Sequence, residues 1–323
     1  MSSRPSPTRE RSSHTCSSVP SSPTKRRRPN HAHDPVSKLS HEVRQGGVNQ
    51  TEETERNNEF LFFGDSLTYG MSHATADRYF VTWPNLLKER LTVASSSKYT
   101  IVESALCSRT TKFDDDNYDN KSWLPTMTPH IFNGKTALAP ILLSHSPRWM
   151  VLLLGTNDLK KSNLEKYSKE AVEQENMKEA SKRCTRSRNK NGGEKKPTMK
   201  TVEAQRSYYT IACDVAQSCC DLGKMAQSFH PNVNVLIVTP PPIRLTEDNQ
   251  TWGFSEKSVE IAKHFPKAFR SICKKNNLLN VSCPKGSIDM ESSEDGIHIT
   301  ESHNAVYADV VWEALHKSDN DLQ

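Results

Sequence analysis

A handful of short apolar runs, each cut off by turn-forming residues, constrains this chain more than any other feature. Phe60-Leu61-Phe62-Phe63 ends at Gly64, Trp149 to Leu154 ends at Gly155, and Val233 to Thr239 stops at Pro240-Pro241-Pro242. Tyr99 to Val102 and Leu278 to Val281 are shorter versions of the same pattern. A strand with one wet face alternates apolar and polar residues, whereas a strand covered on both faces does not. The runs therefore predict buried strands in a parallel sheet.

Between them, apolar residues recur at helical spacing. Trp83, Leu86, Leu87 and Leu91 mark a helix over 83–93, with Pro84 tolerated in its first turn. Further helices are expected over 202–229, 256–275 and 301–316. Alternating strands and helices with crossovers of this length predict an α/β fold. The form expected is a doubly wound, flavodoxin-like parallel sheet of five strands flanked by helices. In such sheets ligands bind outside the carboxyl ends of the strands.

Composition divides the chain. Residues 1–57 are rich in Ser, Pro, Thr, Arg and Asn, with 10 Lys/Arg against 6 Asp/Glu. Such a stretch buries too little apolar surface to offset an ordering cost of roughly 1–2 kcal/mol per residue. It reads as a disordered basic tail before a globular domain over 58–320. Residues 162–200, with 11 Lys/Arg against 6 Asp/Glu, read as a basic insertion: a charged helical stub leading into a loop, with no apolar face to dock. The remaining residues carry 22 Lys/Arg against 26 Asp/Glu, so the net positive charge resides in the two low-complexity segments and the rest is mildly acidic. A nucleic-acid partner is not expected of the folded body.

None of the eight cysteines forms a CxxC pair. Metal ligation and a disulfide framework find no support, and no cofactor is expected. Reduced thiols in an intracellular, cytoplasmic protein are the expectation. No run of about 18 apolar residues suggests a membrane span, and no apolar core near the N-terminus suggests a secretory signal. Lys25-Arg26-Arg27-Arg28-Pro29 leaves a nuclear address open, and the Arg/Ser-rich tail an organellar one.

Three strand ends carry residues with chemical potential. At Gly64-Asp65-Ser66, a serine just past a buried strand and a bend-permitting glycine is lifted to the sheet rim. The G-x-S-x-G elbow is absent, although the geometry required is similar. At Gly155-Thr156-Asn157-Asp158, an asparagine amide can reach the same rim, where donors around an oxyanion are worth roughly 3–4 kcal/mol each. At Asp295-Gly296-Ile297-His298, a three-residue offset in a helical turn brings carboxylate and imidazole to one face. Each motif alone is also an ordinary turn. Together they fall on loops that share one edge of the predicted sheet.

In that order the motifs resemble the GDSL, or SGNH, family of esterases and lipases. Phe63 to Thr68 is similar to its first block, and Val102 to Thr111 to its second, in the form found in the arylesterase/acyltransferase branch. Gly155 to Asp158 is similar to its third block and Asp295 to His298 to its fifth. The triple proline also recurs in that branch. The resemblance implies Ser66 as nucleophile, His298 as general base and Asp295 as its orienting carboxylate. It further implies an oxyanion hole from the backbone N–H groups of Ser66 and Ser108 and the Asn157 side chain. The family usually has Gly where Ser108 stands, and Ala105 replaces a Gly common in the related branch.

The expected reaction is cofactor-free hydrolysis of small or medium carboxylic esters through an acyl-enzyme, with acyl transfer to an alcohol as a variant. Trp83 and Arg109 are candidates for a substrate pocket, against core packing for Trp83 and a structural ion pair for Arg109. The competing reading is an inactive hydrolase fold that acts as a scaffold or nucleic-acid-associated protein through its basic tail and insertion.

Overall fold

The structure, a computed structural model, describes residues 58–75, 77–94, 99–114, 129–186 and 207–319. The expected tail over 1–57 and the distal part of the insertion, 187–200, lie outside the described residues. Five strands form the sheet: β1 (Glu59–Gly64), β2 (Thr100–Ala105), β3 (Trp149–Leu153), β4 (Asn234–Val238) and β5 (Leu279–Val281). All neighbours pair in parallel, in the order β2-β1-β3-β4-β5. This is the doubly wound, flavodoxin-like sheet that the apolar runs predict. The strand order reverses where β1 and β3 lie side by side, and a crevice opens at the carboxyl ends of such a pair. Gly64 is level with both Ala105 and Leu153, so the loops after β1, β2 and β3 leave the sheet at one height.

The helices are α1 (Ser66–Tyr69), α2 (Trp83–Ala94), α3 (Gly134–Ser144), α4 (Lys161–Arg186), α5 (Tyr208–Phe229), α6 (Glu247–Thr251), α7 (Glu256–Ala262), α8 (Phe265–Lys275) and α9 (Glu301–Ser318). Successive strand residues face opposite sides. Leu61, Phe63, Met150, Leu152, Val235 and Ile237 therefore join one core with α3, α5 and α8. Phe60, Phe62, Trp149, Val151, Leu236 and Val238 join another with α2 and α9. Each large apolar side chain so buried contributes roughly 1.5–3 kcal/mol.

The structure differs from the sequence expectations in several places. The helix expected over 256–275 is two helices, because Pro266 lacks the N–H that a continuous helix needs and starts α8 instead. Helix α3 has no counterpart in the expectations, since Pro140 interrupts its pattern, and the one-turn α6 has none either. The stub at the start of the insertion does dock: Leu164 and Tyr167 are buried in the first core, and residues 173–178 face solvent. Two apolar residues at i and i+3 suffice to seat a helix end, even in a charged segment.

Candidate active site

The first wall of the site grows out of β1. Gly64 is required there by close approach, because a Cβ would lie 1.9 Å from Thr68 Oγ1 and 2.8 Å from the Leu153 carbonyl oxygen. Asp65 then caps α1, its Oδ1 accepting from the Leu67 N–H at 3.0 Å. Ser66 is the first residue of that helical turn, so its amide has no intrahelical partner.

The opposite wall is the loop before α9. His298 Nε2 lies 2.9 Å from Ser66 Oγ, and His298 Nδ1 lies 2.5 Å from Asp295 Oδ2. Asp295 is fully buried, and its Oδ1 accepts from the N–H groups of Ile297 and His298, each at 2.8 Å. Burial alone would raise this carboxyl, but the hydrogen bond and charge of His298 and the two backbone donors outweigh it and hold Asp295 well below the usual carboxylate range. With Asp295 ionised, the Nδ1–H donates to it, and Nε2 is left to accept from the serine hydroxyl. The pair does not sit in a helical turn as expected. Gly296, at φ 71°, and the two backbone bonds to Asp295 make a tight turn around the carboxylate, and α9 starts only at Glu301.

Asn157 follows β3 on a one-turn 3₁₀ segment, Asn157–Leu159. Its Nδ2 donates to Asp65 Oδ2 and to the Arg109 carbonyl, each at 3.2 Å, which ties the first and third blocks together. Asp158 ties in the second. Its carboxylate accepts from the Thr111 N–H at 2.9 Å, the Thr111 hydroxyl at 2.5 Å and the Tyr167 hydroxyl at 2.9 Å. Burial pushes Asp65 up to about 7 and Asp158 up to about 6. Ser108 has φ 66°, the left-handed conformation that favours glycine, and its hydroxyl accepts from Lys160 Nζ at 3.3 Å. A residue in this position needs backbone freedom, which explains the family's usual glycine.

Of the sequence-derived site residues, Ser66, Asp295 and His298 come together directly. Asn157 and Ser108 sit on the loops beside them. The two pocket candidates lie elsewhere. Trp83 is fully buried against Phe62, with its indole N–H donating to the Leu67 carbonyl at 3.0 Å, so it supports the Ser66 turn from behind. Arg109 is buried across the Phe63 ring and donates to the carbonyls of Gly64 at 2.9 Å and Ser104 at 2.5 Å, joining backbone rather than facing substrate. A small cavity of about 80 Å³ opens beside His298, lined among others by His73, Tyr79, Ser293 and Glu294. Asp158, Lys160 and His73, together with Arg244 and Asn249, which donate to the carbonyls of Met290 and Asp295, are the residues around this site that sequence reasoning missed. Only Asp158 carried a signal, its place directly after Asn157 at a strand end. No group of three or more His, Cys, Asp or Glu able to hold a metal ion occurs among the described residues. No helix among them is long and apolar enough to cross a membrane.

Blocks and sheet together define an SGNH-type α/β hydrolase fold. The model of the GDSL-like Lipase/Acylhydrolase family matches residues 62–306, and the chain belongs to that family. Membership supports ester hydrolysis as its reaction class. No curated protein matches the sequence. Among solved structures, Est24, a carbohydrate acetylesterase from Sinorhizobium meliloti, is similar at 21% identity and a TM-score of 0.55, over 81% of this chain and 100% of that one. An M. smegmatis aryl esterase is similar at 20% identity and a TM-score of 0.53, over 80% and 99%. At these identities the likeness is one of fold.

Proposed function

We propose that the chain hydrolyses small or medium carboxylic esters through an acyl-enzyme formed on Ser66. The observation that carries this reading is the unbroken line from Asp295 Oδ2 through both nitrogens of His298 to Ser66 Oγ, at 2.5 and 2.9 Å. His298 takes the hydroxyl proton as Ser66 attacks the ester carbon, and Asp295 stabilises the imidazolium that forms. The carbonyl oxygen becomes an oxyanion, which the N–H groups of Ser66 and Ser108 and the Asn157 amide can meet. For Asn157 this means sharing, or giving up, one of its two 3.2 Å bonds as charge develops. The proton passes to the leaving alcohol, water attacks the acyl carbon by the same route, and the acid departs. An alcohol in place of that water would give acyl transfer.

The test is turnover of p-nitrophenyl acetate and butyrate by the wild type and by Ser66→Ala, with a fluorophosphonate probe mapped onto the wild type. Hydrolysis and Ser66 labelling in the wild type, both absent from the variant, are expected. Equal turnover by the two proteins would exclude Ser66 as nucleophile. An unreactive wild type would favour the scaffold alternative.

A further inference from the structure

The Asp295 carboxylate faces two imidazoles. Besides His298 at 2.5 Å, its Oδ2 lies 3.4 Å from His73 Nδ1, and the other nitrogen of His73, Nε2, lies 3.4 Å from Asp248 Oδ2. Trp252 presents its ring edge-on to both imidazoles, with centroids 5.8 Å from His73 and 6.0 Å from His298. His73 is held there by its own loop. Met71 and Arg78 bridge as antiparallel partners, the Ser72 N–H donates to the Asp77 carbonyl at 2.8 Å, and Arg78 pairs with Glu103 of β2 at 2.6 Å.

The titratable and charged groups around His73 are Asp248, Asp295 and His298, with Glu294 and Tyr79 lining the same cavity. A neutral imidazole attracts neither carboxylate through charge, whereas an imidazolium 3.4 Å from each attracts both. Resting on the hydrolase reading above, we propose that His73 is a positioning residue: an imidazolium spanning Asp248 and Asp295 that fixes the carboxylate behind His298 and moderates its pull on the His298 proton. A cation beside the carboxylate opposes the positive charge that protonation would place on His298. His73 touches no reacting atom, and its effect runs through Asp295.

The experiment is the pH dependence of fluorophosphonate labelling of Ser66 in the full chain, which needs no knowledge of the physiological ester. His73→Gln removes the cation and keeps a polar side chain, and its acid limb is expected to move to higher pH. His73→Arg restores a cation and returns the limb towards the wild type, which a merely structural role would not do. Asp248→Asn, at a well-exposed position on α6, carries the test if His73→Gln does not fold, with a smaller shift in the same direction. Superimposable limbs in the wild type and in the His73→Gln or Asp248→Asn proteins overturn the inference while leaving Ser66 chemistry intact. Absence of labelling in the wild type overturns the hydrolase reading and this inference with it.

Discussion

The two walls of the site are held in place by different means. The Ser66–Asn157 wall hangs directly from paired strands: β1 and β3 end side by side, and the buried carboxylates of Asp65 and Asp158 knit their loops together. The Asp295–His298 wall hangs from a loop outside the sheet. Arg244 grips that loop through the Met290 carbonyl at 3.0 Å, the Ser293 carbonyl and its own backbone bond to Gly296. Asn249 Nδ2 donates to the Asp295 carbonyl at 2.7 Å and the Thr246 hydroxyl does so at 3.0 Å. The first wall is thus a consequence of the sheet's pairing, whereas the second is attached through side-chain to carbonyl bonds outside it. Damage to the first should cost stability along with rate, and damage to the second mainly rate.

The largest effect is expected at the attached wall. Asp295→Asn keeps an oxygen for the N–H groups of Ile297 and His298 but turns an amide towards Nδ1, which favours the wrong imidazole tautomer. If the proposed roles hold, a loss in kcat of about 10⁴-fold is expected, the effect of the same change in a Ser-His-Asp triad. The melting temperature should change by only a few degrees, by calorimetry beside p-nitrophenyl acetate assays. Collapse of the fold would show that the loop is as integral to the core as the strands are. At the sheet-borne wall, Asn157→Ala should lower kcat by about 10²–10³. It should also destabilise, because Asp65 Oδ2 loses a donor inside the protein, a penalty of about 1–3 kcal/mol. Loss of rate without loss of stability would erase the distinction between the walls.

That distinction also marks what could be read in the sequence. Phe60 to Phe63 and Trp149 to Leu154 announce β1 and β3 by composition, and a doubly wound sheet then brings Ser66 and Asn157 to one rim. The strand-to-helix loop that holds Asp295 and His298 is expected at the same rim, and the block resemblance implies their roles there. Its actual support comes from Arg244, Thr246 and Asn249, about 50 residues away in sequence, through side-chain to carbonyl bonds that no periodicity reports. Asp295 and His298 three residues apart suggested a helical turn, yet Gly296 at positive φ bends the chain around the carboxylate instead. Trp83 looked available for substrate because aromatic residues suit both pockets and cores, and its full burial decides for the core. His73 gave no signal at all, since its partners lie in two other loops.

A third, smaller effect probes the sheet-borne wall by pH. Burial raises Asp65 from 3.8 in the unfolded chain to about 7 in the folded one. Between those values the folded state binds more protons than the unfolded state, so this contribution to stability is complete below pH 3.8 and is lost as pH rises through about 7. Asp65→Asn lacks that titration. Comparing thermal unfolding of the two proteins, wild-type stability should fall relative to the variant between pH 5 and 8, by on the order of 2 kcal/mol. Asp295 runs in the opposite sense. Its depressed folded value contributes stability above the unfolded carboxylate range that is lost only on acidification below it. Parallel curves for the wild type and Asp65→Asn would mean that Asp65 is ionised without penalty and does not strain the first wall.

The smallest effect should come from Ser108→Gly. A serine at φ 66° costs about 1–2 kcal/mol relative to glycine, while glycine gives back about 0.4–1 kcal/mol through the greater freedom of its unfolded chain. The Lys160 ammonium bonded to the Ser108 hydroxyl at 3.3 Å offsets part of what remains. These contributions nearly cancel, so urea unfolding should place the variant within about 1 kcal/mol of the wild type. Ester turnover should stay within about threefold, because the proposed oxyanion donor at this position is a backbone N–H that glycine also has. A tenfold loss would mean that the hydroxyl and its lysine do more than hold the loop, and that this part of the sheet-borne wall acts through a side chain after all.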